Sequence, residues 1–124
     1  NALDEFPSFF QSGLAVSDKS LSSQKDLVRR ILRARAKANR LFFETESGAS
    51  EVIAKVLKVD LSVARESYRI SRSAFSTSGI VSQRQIEDFL KMDGEIAKIP
   101  DPLRATAVFD FSLQHEVNTE LGIK

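Results

Sequence analysis

The side chains that could do chemistry in this 124-residue chain are few. It has no cysteine, which removes thiolate nucleophiles, disulfides and cysteine-based metal sites together. His115 is the single histidine. A metal ion usually needs three or four ligands at recognisable spacing, and Glu116 and Glu120 beside His115 do not make such a set. One histidine leaves a Ser-His-Asp triad only if His115 serves, and no acid stands at a spacing that would orient it. Glu44 and Glu46 lie two apart in a fraying helix end, a poor geometry for paired acid–base work. Gly79 and Gly94 are isolated and belong to no phosphate-cradling loop. No catalytic residue, metal ligand or cofactor is expected, and an enzyme is not the reading these residues favour.

Two basic features remain. Lys25, Arg29, Arg30, Arg33, Lys37 and Arg40 share one arc of a helix at about 100° per residue. Such an arc can bind phosphates. The reading it favours is a solvated face whose charges pair with neighbouring acids, because no aromatic residue interleaves to stack bases. Arg35 falls inside the apolar arc, between Phe42 and Val28. It either pairs with a buried carboxylate or anion, or reaches outward from the core edge. Phe9 and Phe10 could line an aromatic cage, but phenylalanine is ordinarily core, and so are Phe6, Phe42, Phe43, Phe75, Phe89, Phe109 and Phe111.

The elements that position these groups are mostly helical. Residues 1–21 read as an extended or irregular lead-in, with Leu14-Ala15-Val16 a possible short strand. Residues 22–122 read as about five helices, and the whole of 1–124 as one domain. The first helix, 23–45, opens on Ser23 and Asp26 as a capping box. It carries Leu27, Ile31, Ala34, Ala38 and Leu41 as its apolar stripe, widened by Val28, Leu32 and Phe42. A second starts near Ser47-Gly48 and stops near Val59; Asp60 caps a third, with Leu61, Ala64 and Tyr68 on one face, ending near Phe75. Ser76 to Gly79 is a turn. Ser82 and Gln85 form a capping box, with Val81 and Ile86 at the positions of a hydrophobic staple, for a fourth helix that Pro100 and Pro102 end. Asp101-Pro102 can open a short helical turn. The last helix, 110–121, carries Leu113, Val117 and Leu121, and Gly122 closes it.

Composition fits this reading. Apolar residues make up 42% and charged residues 28%, ordinary for a globular domain. The net charge of +1 excludes a chain that binds nucleic acid by its overall field. No apolar run approaches the roughly 20 residues that span a bilayer.

The order of several short segments is more specific than any one of them. Gly13-Leu14-Ala15-Val16-Ser17 is followed by Leu27 to Ala34 (LVRRILRA), then by Ala49 to Asp60 (ASEVIAKVLKVD). Ala64 to Tyr68 (ARESY), Phe75 to Gly79 (FSTSG) and Phe109 to Ser112 (FDFS) complete the series. This series resembles the C-terminal portion of the nitrate/sulfonate/taurine-type substrate-binding proteins of bacterial ABC importers. The resemblance spans residues from about 11 to 122. It implies part of a type II periplasmic-binding-protein α/β fold, in which two lobes close on a small-molecule solute and deliver it to an ABC permease. It implies a periplasmic or extracellular, membrane-associated setting. In that layout Gly13 to Ser17 would be a strand of the first lobe's sheet, with the helices packed outside it. The family's ligand contacts come mainly from segments preceding this part, so the resemblance assigns no ligand contact to a residue here. Helices built to cover a sheet would expose apolar faces without it, so self-association into a homo-oligomer is expected. The alternatives are a freestanding helical protein-interaction module and a nucleic-acid-binding helical domain.

Overall fold

A computed structural model of the chain describes residues 12–99 and 103–124. Within them lie seven α-helices and one 3-10 turn, and no strand. The helices are α1 (Asp18–Ser23), α2 (Lys25–Glu44), α3 (Glu46–Leu57), α4 (Leu61–Ser71), α5 (Gln83–Ala97), α6 (Ala105–Val108) and α7 (Ser112–Leu121), with the 3-10 turn Arg72–Ala74 after α4. The expected mostly helical character is present, in seven helices among the described residues rather than about five, because the short helices Asp18–Ser23 and Ala105–Val108 add to the expected set. The start of the chain differs further.

Leu14 to Val16 form no strand; they are exposed and unpaired. An isolated strand has no hydrogen-bonding partner for its edges, so the backbone stays irregular until the first helix. That helix, α1, occupies part of the expected lead-in. Ser17 starts it by accepting from the Ser20 amide at 3.2 Å, with Asp18 in the first turn. The Ser23–Asp26 capping box does not form. Ser23 instead ends α1, its hydroxyl donating to the Lys19 carbonyl at 2.6 Å, and α2 begins after Gln24 without a side-chain cap.

α2 is the spine. Its Val28, Leu32 and Ala36 pack with Leu113 and Val117 of α7, and Leu21, Leu121 and Ile123 close over the contact. Two ion pairs fix the register: Arg29 with Glu116, and Arg33 with Glu120 at 2.7 Å. Both partners advance by four residues, so α2 and α7 run parallel. Arg40 donates to the Leu121 carbonyl, where the negative end of the α7 dipole favours a cation. Each exposed pair contributes only about 0.2–1 kcal/mol. The buried aliphatics, at roughly 1.5–3 kcal/mol each, dominate this contact.

α3 and α4 form a hairpin. Its interior is made of small side chains, Ala49, Ser50 and Ala64, with Tyr68 the one large buried residue. The Ser50 hydroxyl is fully enclosed and has no hydrogen-bond partner among the described residues. Tyr68 ties the hairpin back to the end of α2, its hydroxyl donating to the Phe42 carbonyl at 3.0 Å and accepting from Arg72 Nε at 3.2 Å. Phe42 packs against Phe43, Tyr68 and Phe75, and the Arg72 guanidinium sits 5.2 Å from the Phe43 ring centre. The Asp60 side chain makes no cap bond, although its extended backbone does precede α4.

α5 opens as the sequence dictates. Gln85 Oε1 accepts from the Ser82 amide at 3.0 Å and Ser82 Oγ accepts from the Gln85 amide at 3.3 Å. α5 runs through Gly94 and ends at Ala97, where Lys98 turns left-handed at φ 52°. The Ile99 amide then closes on the Gly94 carbonyl at 3.0 Å. Pro100, Asp101 and Pro102 lie outside the described residues, as do Phe6, Phe9 and Phe10. α7 begins two residues later than expected. Asp110 accepts from the Ser112 amide at 2.8 Å, and Gly122 at φ 63° closes the other end.

Candidate functional site

The residues singled out for chemistry do not converge. His115 is exposed on α7 and borders a shallow open depression with Ser78, Ile80, Ser82, Thr119 and Lys124. No group of three or more metal-capable side chains exists among the described residues. Glu44 and Glu46 straddle the Thr45 break between α2 and α3, and Glu46 is engaged by Arg69 at 3.0 Å. A wider groove of ≈ 670 Å³ separates α5 from the α6 region, apolar at Leu90, Ile99 and Leu103 and charged at Glu87, Lys91 and Arg104.

The basic arc of α2 is divided by its neighbours. Arg29, Arg33 and Arg40 face α7 and are used there, while Lys25, Arg30 and Lys37 are exposed. Arg35 is exposed as well, and no carboxylate among the described residues pairs with it. Its guanidinium lies over the Ser76–Gly79 turn, where a Cβ on Gly79 would come within 3.0 Å of Nη1. That turn is held from two helices. Asn39 Nδ2 donates to the carbonyls of Ser76 and Thr77 at 2.8 and 2.9 Å, and Asn118 Nδ2 donates to that of Ser78 at 2.9 Å. Gln114 in turn donates to Asn118 Oδ1 at 2.8 Å. This buried amide relay accounts for two polar residues on α7 that the apolar periodicity overlooked. Both are satisfied, which is why they can be buried.

The surface that stands out is apolar. Leu27, Ile31 and Leu41 are 46%, 42% and 51% exposed, and Ala34 and Ala38 between them are exposed too. These five are the stripe that periodicity marks as the core face of the helix. The structure buries the flanking set instead, with Val28 at 5% and Leu32 at 9%. α2 therefore has two apolar stripes and uses one. The exposed stripe spans about 21 Å of helix axis at 1.5 Å per residue. Val52 and Val56 on α3, and Val63 and Ile70 on α4, repeat the pattern at helical spacing. Scattered exposed apolar residues are ordinary, but aligned ones mark surfaces that other chains or segments cover.

Among the described residues no helix is long and apolar enough to cross a membrane. No protein-family model matches the sequence, and no curated protein or solved structure is significantly similar to it.

Proposed function

We propose that the chain is the C-terminal part of the solute-binding component of a bacterial ABC importer. In the intact protein a small molecule is held by closure of two lobes, with no bond chemistry, and handed to the permease at the outer face of the membrane. The ordered series from Gly13-Leu14-Ala15-Val16-Ser17 to Phe109-Asp110-Phe111-Ser112 supports this reading. The observation that carries it is the uncovered Leu27–Ile31–Ala34–Ala38–Leu41 stripe. A helix with one apolar stripe against helices and a second facing outward is what a layer between a sheet and a helical shell requires. Leu14 and Val16, alternate exposed residues ahead of the first helix, fit the spacing of a strand awaiting its sheet.

The coding sequence upstream of residue 1 tests the proposal. An α/β segment preceded by a secretory leader supports it, and a start codon directly before residue 1 contradicts it. With that segment joined, thermal unfolding against a panel of small oxyanions and sulfonates should show a ligand-dependent rise in Tm. The second reading, a freestanding helical interaction module, is favoured by one observation. Among the described residues, α2 and α7 bury an apolar cluster of their own without a strand.

A further inference from the structure

The exposed apolar residues of α2 step by four, three, four and three, from Leu27 through Ile31, Ala34 and Ala38 to Leu41. This is the a/d spacing of a coiled-coil seam. The seam is large at its ends and small in its middle. We propose that it seats the same stripe of a second copy, with the two α2 helices antiparallel. The proposal rests on the reading that this stripe is a face built to be covered, and concerns the chain without another cover.

Self-complementarity selects the arrangement. Setting Ala34 against Ala38 of the second copy puts Ile31 against Leu41 and brings alanine to alanine at the two-fold axis. Ile31 and Leu41 then meet as large residues, Leu27 lies at the end of the seam opposite Thr45, and the helices can approach closely at the centre. In this register Arg30 of each copy flanks the seam beside Glu44 of the other, two opposite-charge contacts. Lys37 and Arg35 each meet their own copy near the axis, at exposed positions where solvent and salt screen them. A parallel pairing in register would set Arg30 against Arg35 of the other copy twice, with no carboxylate at the seam to offset it. Charge thus favours the antiparallel form. One helix pair buries less than the roughly 800 Å² per partner of a standard interface, so the dimer is weak and forms at high protein concentration.

The absence of cysteine allows a direct test on the full chain. Ala34→Cys and Ala38→Cys variants, one carrying a mass tag, are mixed under mild oxidation across a concentration series. The expected product is the mixed Ala34→Cys/Ala38→Cys disulfide, in several-fold excess over either homodimer. Sedimentation equilibrium should show a concentration-dependent dimer that Ile31→Glu abolishes, with the helical circular dichroism of the monomer unchanged. A predominance of like-with-like disulfides overturns the antiparallel arrangement. A dimer that survives Ile31→Glu, or a monomer up to millimolar concentration, overturns the interface. The monomer result leaves the solute-binding reading standing, because that reading is tested separately by joining the α/β segment.

Discussion

Leu32 and Ile31 are adjacent on α2, similar in size and opposite in surroundings, so truncating each measures which stripe the fold uses. Leu32→Ala removes three carbons from a side chain only 9% exposed, packed with Val28, Ala36, Leu113 and Val117. At about 0.8 kcal/mol per buried carbon the transfer loss is roughly 2.4 kcal/mol, and the cavity left behind raises it to about 3 kcal/mol. Ile31→Ala removes the same number of carbons from a side chain 42% exposed. Its transfer loss is roughly 1.4 kcal/mol with no enclosed cavity, and the better helix propensity of alanine returns about 0.4 kcal/mol. The net cost is about 1 kcal/mol. Urea unfolding followed by circular dichroism, at a concentration well below dimerisation, should separate the two. With a slope of about 1.5–2 kcal/mol/M, Leu32→Ala lowers the midpoint by roughly 1.5–2 M and Ile31→Ala by roughly 0.5 M, with the slope unchanged. Equal shifts, or the larger shift for Ile31→Ala, would refute the assignment of the buried stripe.

Further outcomes follow from single sites. Ser50→Ala removes an enclosed hydroxyl without a partner among the described residues, and should leave the urea midpoint unchanged or raise it by up to about 1 kcal/mol of stability. Tyr68→Phe strips the Phe42 carbonyl of its donor and Arg72 Nε of its acceptor, and should cost about 1–2 kcal/mol in the same measurement. Gly79→Ala forces a side chain into φ +70° and should cost about 1 kcal/mol, most of it backbone, since the nearest atom is the mobile end of Arg35. Asp110 is held below its ordinary value of 3.8 by the Ser112 backbone and side-chain hydrogen bonds, with a smaller contribution from Lys25. Its folded pKa is depressed, so its stabilisation is present above about pH 4 and lost as pH falls through the folded value. The stability gap between the wild type and Asp110→Ala, read from urea midpoints, should close over that acid range.

The local parts of this fold were legible in the sequence because short-range chemistry determines them. Ser82 and Gln85 sit three apart and meet within one helical turn, and Gly122 takes the left-handed conformation that its missing Cβ allows. Where two local signals compete, the sequence is ambiguous. Ser23 can cap the helix after it or end the one before it, and the Lys19 carbonyl takes its hydroxyl. Ser17 and Asp18 announce α1, yet the apolar run before them resembles a strand. Lys58 and Lys98 close α3 and α5 in left-handed conformations that the identity of lysine does not foretell. The choice between the two stripes of α2 was illegible for a different reason. The helical wheel contains both, and α7, nearly ninety residues away, decides between them. Its Leu113 and Val117 meet Val28 and Leu32 while Glu116 and Glu120 hold Arg29 and Arg33. Arg35 follows from that choice: at the edge of the exposed stripe, it lies over Gly79 rather than inside a core.

On the proposed reading, the Ile31 face of α2 lies under another layer of a longer protein. A single thiol at Ile31→Cys measures this directly, because the chain has no other cysteine. In the present chain, kept dilute enough to be monomeric, Cys at this position should react with a thiol reagent within a few-fold of the rate in urea-unfolded protein. Joined to an upstream α/β segment of the kind the proposal requires, the same thiol should react at least a hundred-fold more slowly. Equal reactivity in the two contexts would contradict the account.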